Sequence, residues 1–369
     1  MGKSRKGRAG ILSLLLSLTL VAGCGYNTES NLFGVAPSAA DWWDPDWVAR
    51  RQLSIDNSGQ GDLSDFPVLV RLDASRIDYG LTQDTGGDLR FIDTDGSVLS
   101  HEIERWDEAG ESIVWVRVPT IPGGANHTIT MYYGNSSAAD VQDPTDVWDS
   151  SYVLVWHLGE IPTGAADDIA DSAANIALPD TASGTSQSMD GSNQVAGQAG
   201  FGLGFDGAGE WLNPTSPDPG FFHDDFSDKT FSAWIRSDNT SQTQTIFEEG
   251  GGTNGLYLGV DANQVHLATR DGGAGSQANA YQSYTDTVSF HYVAAVFEGG
   301  QLRLYLNDNT PALQAAGYAT VGAHSGEPGI GRSPDADAAG TGTNDYFVGA
   351  MDEIRMSNIA RSQDWIAAE

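Results

Sequence analysis

From Trp43 onward the chain is divided into short runs in which every second residue is apolar. Glycine, asparagine and aspartate separate the runs, and few long stretches of helix formers intervene. Arg51-Gln52-Leu53-Ser54-Ile55, Val68-Leu69-Val70-Arg71-Leu72, Ile113-Val114-Trp115-Val116-Arg117-Val118 and Thr128-Ile129-Thr130-Met131-Tyr132-Tyr133 all read this way. A period of two is that of a strand with one buried face. Asn57-Ser58-Gly59, Asp95-Gly96 and Gly123-Gly124 mark turns between the runs. With 45 glycines in 369 residues, this pattern restricts the chain to many short strands and tight turns, an all-β architecture.

Two regions follow from the spacing. Residues 43–149 have the size of one β-sandwich-like unit. Residues 150–369 open at Val153-Leu154-Val155-Trp156-His157-Leu158 and then pass a polar, glycine-rich stretch to Ala199 that reads as loop plus short strands. Dense strand signals return in Phe231-Ser232-Ala233-Trp234-Ile235, Gly255 to Val260, Val265-His266-Leu267, Tyr292 to Phe297 and Leu302 to Leu306. Asp261-Ala262-Asn263 and Gly299-Gly300 are placed to close hairpins, and a short helix is expected near Gln363 to Ala368. The expected fold is two tandem β-sandwich domains, and a 40% hydrophobic content is enough for both cores.

Trp47 with Arg50-Arg51, Asp88-Leu89-Arg90-Phe91, Glu102-Ile103-Glu104 with Trp106, Val114-Trp115-Val116 before Pro119, and Tyr132-Tyr133-Gly134-Asn135 carry a family resemblance. The first region resembles a bacterial domain of unknown function that occurs in exported proteins and beside MotA/TolQ/ExbB-type proton-channel modules. Trp156-His157, Phe205-Asp206-Gly207, Thr230 to Ile235, His291-Tyr292-Val293-Ala294, Leu304-Tyr305-Leu306-Asn307 and Asp352-Glu353-Ile354-Arg355 carry a second. The second region resembles the laminin-G-like, concanavalin A-like lectin and glucanase jelly roll. That superfold hosts enzymes, lectins and adhesive modules, so the resemblance implies a fold and leaves the ligand open.

At the N-terminus, Lys3, Arg5, Lys6 and Arg8 precede an apolar stretch from Ile11 to Val21, and the chain's single cysteine ends Val21-Ala22-Gly23-Cys24. As a helix, Ile11 to Cys24 would rise only about 20 Å, short of the roughly 30 Å of a hydrocarbon core. The segment resembles the lipobox of bacterial lipoproteins. That implies a signal peptide over 1–23, a lipid on Cys24 and a flexible tether over 24–42. Gly25 follows the cysteine where an aspartate would favour inner-membrane retention, so the outer membrane or cell surface is expected.

Fifty acidic against eighteen basic residues give a formal charge of −32. Such a surface repels phosphate backbones and anionic head groups, which excludes nucleic acid as a partner. Beyond Cys24 no cysteine exists to form a disulfide or a thiolate metal site.

Catalytic patterns are absent. The histidines at 101, 127, 157, 223, 266, 291 and 324 lack zinc-motif spacing, and no nucleophile elbow, P-loop or dinucleotide fingerprint is present. Glu102 and Glu104 alternate but match the ordinary strand pattern of the first domain, and Glu248 and Glu249 are adjacent, facing opposite ways on a strand. Neither pair is the acid and nucleophile of a glucanase. If Val348 to Met356 is a regular strand, Asp352 shares a face with Val348, Ala350, Ile354 and Met356, and a carboxylate there needs backbone N–H donors or a hard cation. The jelly-roll resemblance implies a structural calcium, with Asp352 and, by analogy, Asp171 as ligands, although Ala173-Ala174 stand where that family usually has glycine. Trp115, Trp156 and Trp234 are expected in the core, and Trp42, Trp43, Trp211 and Tyr281 are the candidates for stacking on sugar rings.

These readings point to a non-catalytic, lipid-anchored surface module that binds a glycan or a protein partner through its jelly roll. A divergent polysaccharide hydrolase or lyase, and a structural component of a TolQ/ExbB-type envelope assembly, stand as alternatives.

Overall fold

The computed structural model describes residues 16–17, 42–173, 184–214, 220–272, 276–307 and 310–369. Cys24 and nearly all of residues 1–42, where a signal peptide and tether are expected, lie outside the described residues. Leu16–Ser17, within the apolar stretch from Ile11 to Val21, pairs with Ile55 and Ser54 at the edge of the first sheet. Among the described residues no helix is long and apolar enough to cross a membrane.

The first sandwich has two antiparallel sheets. In one, Ala49–Asn57 pairs with Ala125–Tyr133, which pairs with Arg90–Ile92 and then Val98–Leu99. In the other, Leu63–Leu72, Ser112–Ile121 and His101–Arg105 lie side by side in that order. Alternation decides the layers, because Leu53, Val68, Val70, Val114, Val116 and Met131 fill the space between the sheets.

The second sandwich is larger. Its seven-stranded sheet runs Gly184–Gln187, Trp211–Pro214, Gly329–Ile330, Gln244–Gly250, Gly255–Asp261, Gln264–Arg270 and Gln277–Ser283. Opposite it, Gln194–Ala196, Phe201–Asp206, Val348–Ser357, Asp228–Ser237, His291–Glu298, Gln301–Leu306 and Ala312–Ala315 form the main path of an eight-stranded sheet, with Tyr152–Trp156 also paired to Val348–Ser357. Phe231 and Phe247 stack between the two sheets with ring centroids 4.8 Å apart. Both expected hairpins are present: Ala262 and Asn263 have φ of 49° and 65°, and Gly299 and Gly300 have 53° and 95°. Two successive positive φ values are what a two-residue hairpin turn requires.

Val348–Ser357 departs from the regular strand expected of it. Its register against Asp228–Ser237 shifts between Ser232 and Trp234, and Glu353 has φ of 51°. The extra residue is a β-bulge, which interrupts the alternation. Met351, Ile354 and Met356 therefore belong to the core, and Asp352, Glu353 and Arg355 lie outside it, facing the first sandwich.

The two sandwiches meet across this face. The outer side of the three-stranded sheet carries Leu69, Trp115 and Glu102 in register, and it packs on the outer side of the eight-stranded sheet. Tyr152, Val155 and Trp365 of the second region join the first region's core cluster. Trp365 comes from the helix Gln363–Ala368, where the sequence places one, and its ring lies 4.9 Å from that of Phe66. Ser362 caps this helix by accepting the Trp365 N–H at 3.1 Å.

Candidate functional site

A buried group of ionisable side chains occupies the boundary between the sandwiches. His157 follows directly on Tyr152–Trp156, and the alternation that sends Leu154, Trp156 and Leu158 into the second core turns His157 toward the first sandwich. Its Nδ1 lies 2.8 Å from Glu353 Oε1 and 3.5 Å from Glu104 Oε2, while Nε2 lies 3.4 Å from Glu102 Oε2.

Each carboxylate is held by a second group. The Trp115 indole N–H donates to Glu104 Oε2 at 2.8 Å, and that of Trp148 donates to Glu102 Oε2 at 3.0 Å. Ser172 Oγ donates to Glu102 Oε1 at 2.5 Å. Arg355 donates to Glu353 Oε2 at 2.6 Å and to Glu369 Oε1 at 3.1 Å.

Electrostatics divides these groups by protonation. Burial opposes the charge of His157, but the carboxylates of Glu353, Glu102 and Glu104 outweigh it and hold the imidazole well above its usual range. Burial likewise opposes ionisation of Glu353, yet His157 and Arg355 hold that carboxyl low. Glu102 is held low against burial by His157, Ser172 and Trp148. Glu104 goes the other way: burial and then repulsion from Glu353 push it up to about 8. Asp352 is raised well above the carboxylate range by burial and then by Glu353.

The aspartates expected to hold calcium flank this group. Asp171 Oδ1 accepts the N–H of Val155 at 2.8 Å and of Ala173 at 2.9 Å. Asp352 Oδ2 accepts the N–H of Gln198 at 2.6 Å and of Ala199 at 2.8 Å, the backbone bonding that a buried carboxylate needs. Asp171 Oδ2 and Asp352 Oδ1 are buried without a partner, a property that fits a cation ligand. Among the described residues, the group of at least three side chains whose donor atoms lie within 4.8 Å of one another is Glu104, His157 and Glu353, and neither aspartate belongs to it.

Sequence reasoning set Glu102 and Glu104 aside as ordinary strand residues. Their i, i+2 spacing was the available signal, since it places both on one face of His101–Arg105. What it did not disclose is that a histidine from the other sandwich covers that face.

A second candidate surface lies on the outer side of the seven-stranded sheet. There Tyr281, 44% exposed, stacks on His266 with ring centroids 4.4 Å apart and planes 18° from parallel. His266 sits opposite Tyr281 in the pairing of Gln264–Arg270 with Gln277–Ser283, and its Nε2 is 2.8 Å from Asn279 Oδ1. Burial lowers the His266 pKa, against the Asn279 hydrogen bond.

The other stacking candidates are placed differently. Trp211 is buried under Arg332, whose guanidinium carbon is 4.9 Å from its ring, and Trp42 and Trp43 are half-buried against Tyr132. Of the tryptophans assigned to the core, Trp156 is in that of the second sandwich and Trp115 in that of the first region. Trp115 is buried at the boundary between sandwiches, and Trp234 is only half-buried, lining a cavity of about 250 Å³ in the same boundary together with Trp115, Arg355 and Glu353.

Glu248 and Glu249 face opposite ways, as adjacency requires. Glu249 receives the Lys229 ammonium at 2.7 and 2.8 Å inside the second sandwich, and both Glu248 oxygens are buried without a partner.

Comparison with known proteins bears on the fold. Residues 215–367 match the family model described as the concanavalin A-like lectin/glucanases superfamily, and residues 85–154 match that of a domain of unknown function, DUF2341. The fold is all-β, and its C-terminal part is a concanavalin A-like jelly roll. No curated protein matches the chain.

Solved structures similar to it include the receptor binding domain of botulinum neurotoxin D, at 12% identity and a TM-score of 0.41, with 59% of this chain and 52% of that one covered. A botulinum neurotoxin type C structure, whose cell entry depends on interaction with two ganglioside molecules, is 13% identical at a TM-score of 0.39 over 59% and 50% of the two chains. A SAP-like pentraxin from Limulus polyphemus is 14% identical at 0.31, over 40% and 72%. The chain spans about half the length of the neurotoxin structures it matches.

Proposed function

We propose that this protein is a non-catalytic binding module, tethered by a lipid on Cys24 to the bacterial outer membrane or cell surface, that recognises a glycan on the outer face of its seven-stranded sheet. The observation that carries the reading is Tyr281, an exposed ring held flat against His266. An aromatic face of this kind covers the C–H face of a pyranose, and a ring already backed by another loses little freedom on binding. Asn279 stands beside it, its oxygen held by Gln277 at 2.9 Å, and its amide N–H supplies a donor for a sugar hydroxyl. A chain of charge −32 suits a neutral sugar better than an anionic one.

The match to a family that contains lectins supports the same reading. Glycan arrays probed with the wild type and with Tyr281→Ala test it. The expected result is binding to one class of neutral glycan that falls about fivefold in the variant, in line with a stacking contribution of about 1 kcal/mol. Unchanged binding by the variant, or degradation of a polysaccharide panel by the wild type, would count against it. Loss of radiolabelled palmitate on Cys24→Ser is the corresponding test of the anchor.

A further inference from the structure

We infer that Glu104, His157 and Glu353 form a binding site for a divalent transition metal of the zinc type, and that the ion joins the two sandwiches. Glu104 comes from the first sandwich, and His157 and Glu353 come from the second. The inference is independent of glycan binding.

Four observations carry it. First, the three donor atoms converge: His157 Nδ1 lies 3.5 Å from Glu104 Oε2 and 2.8 Å from Glu353 Oε1, and all three lie within 4.8 Å of one another. Ligands about 2.1 Å from a tetrahedral zinc are about 3.4 Å apart, so the pocket needs only a small opening on the Glu353 side.

Second, the outer groups are those of a metal-bound histidine. Glu102 Oε2 stands 3.4 Å beyond Nε2 and is itself fixed by Trp148 and Ser172. A carboxylate facing the far nitrogen keeps a proton there, and the ion takes the place of the proton that Nδ1 directs at Glu353, which is released. Trp115 and Arg355 orient Glu104 and Glu353 in the same manner.

Third, Asp352 Oδ1 is fully buried and has no partner, and the charges acting on its carboxyl are those of Glu353 and Glu104. It is not among the three converging donors, so it enters the ion's shell only if the bulge shifts. Fourth, Glu353 and Trp115 line the cavity between the sandwiches, which gives an ion a route in.

The donor set decides the class of metal. One imidazole nitrogen with two carboxylate oxygens suits zinc and its neighbours, whereas calcium takes six to eight oxygens.

The test is titration of the purified full chain with Zn²⁺ and, separately, with Ca²⁺, followed by calorimetry and by melting temperature. One zinc per chain and a raised melting temperature are expected. Glu104→Gln and His157→Gln should each weaken zinc binding at least tenfold, Glu102→Gln should weaken it by about 10- to 100-fold, and Asp171→Asn should leave it unchanged. Zinc binding that survives Glu104→Gln and His157→Gln overturns the inference, as does calcium uptake without zinc uptake. Should the variants fail to fold, zinc-edge X-ray absorption on the wild type decides, with one imidazole in a shell of light ligands expected at about 2.0–2.2 Å and a shell without imidazole overturning it.

Discussion

The guanidinium of Arg355 lies 4.5 Å from the centre of the Trp115 ring, and the two residues come from different sandwiches. Trp148 lies 4.9 Å away from the same guanidinium, and Glu353 and Glu369 take its N–H groups. Arg355 is buried, so its removal takes the guanidinium from the buried Glu369 carboxylate and leaves Glu353 with His157 alone. Arg355→Ala is expected to cost about 3–5 kcal/mol, seen as a lower denaturant midpoint. Arg355→Lys should recover only part of this, because an ammonium cannot stack on the indole and reach both carboxylates at once. Full recovery by lysine would show that charge alone matters there.

Lys229 is buried with its ammonium on Glu249 and over the rings of Phe221 and Phe226, at 4.1 and 4.3 Å. The pair lies inside a jelly roll, where taking both charges out of water costs about as much as their attraction returns. Lys229→Met alone is expected to destabilise by about 3–5 kcal/mol, since it abandons Glu249, while Lys229→Met with Glu249→Leu should return to within about 2 kcal/mol of the wild type. A double-mutant cycle measures the difference. Equal losses in the single and double variants would refute the argument.

Much of this arrangement was legible beforehand. The alternation of Ile113 to Val118 and the turn at Ala262-Asn263 are local properties, and the strands and hairpin appear where these residues stand. Asp352 was misplaced because periodicity assumes one residue per pleat, and the bulge at Glu353 inserts one more. Trp211 and Trp234 were misplaced for a related reason: neighbours in sequence, polar around Trp211 and apolar around Trp234, do not tell which face an arginine or a partner sheet will cover. The group around His157 was illegible because its members are separated widely along the chain, and only the packing of one sandwich on the other gives them a common environment.

Glu248 is fully buried, and neither of its oxygens has a hydrogen-bond partner. Burial, then the charges of Asp337, Glu249 and Asp335, push its carboxyl up to about 10. The folded chain therefore keeps a proton that the unfolded chain releases above the ordinary carboxyl pKa of 4.5. Stability tied to this group is present below that pH and declines as pH rises toward 10. Glu248→Gln, which is neutral throughout, should raise stability by up to about 3 kcal/mol at pH 7 and by almost nothing at pH 4. Chemical denaturation at the two pH values checks this, and an equal effect at both would reject it.

His101 supplies a test of opposite sign. It is buried in the first sandwich beside Phe91, with ring centroids 5.3 Å apart, and its Nε2 has no partner. Burial first, and then the charge of Arg90, lower its pKa from 6.5 to about 4, against a smaller opposing influence of Asp140. Between these values the unfolded chain binds a proton that the folded chain refuses, so stability rises with pH across the window. The contribution is complete above about pH 6.5, falls as the pH drops and levels off below about pH 4. Its full extent is at most about 3 kcal/mol, at 1.36 kcal/mol for each pH unit of displacement. Many carboxylates also titrate near the lower limit, so the wild-type curve alone cannot isolate the histidine. The difference between the wild type and His101→Asn does, because the variant lacks the titrating ring. The gap in stability between the two should shift in favour of the variant as pH falls from 7 to 4.5, and a gap that stays constant over that interval would show that His101 takes up its proton without cost in the folded protein.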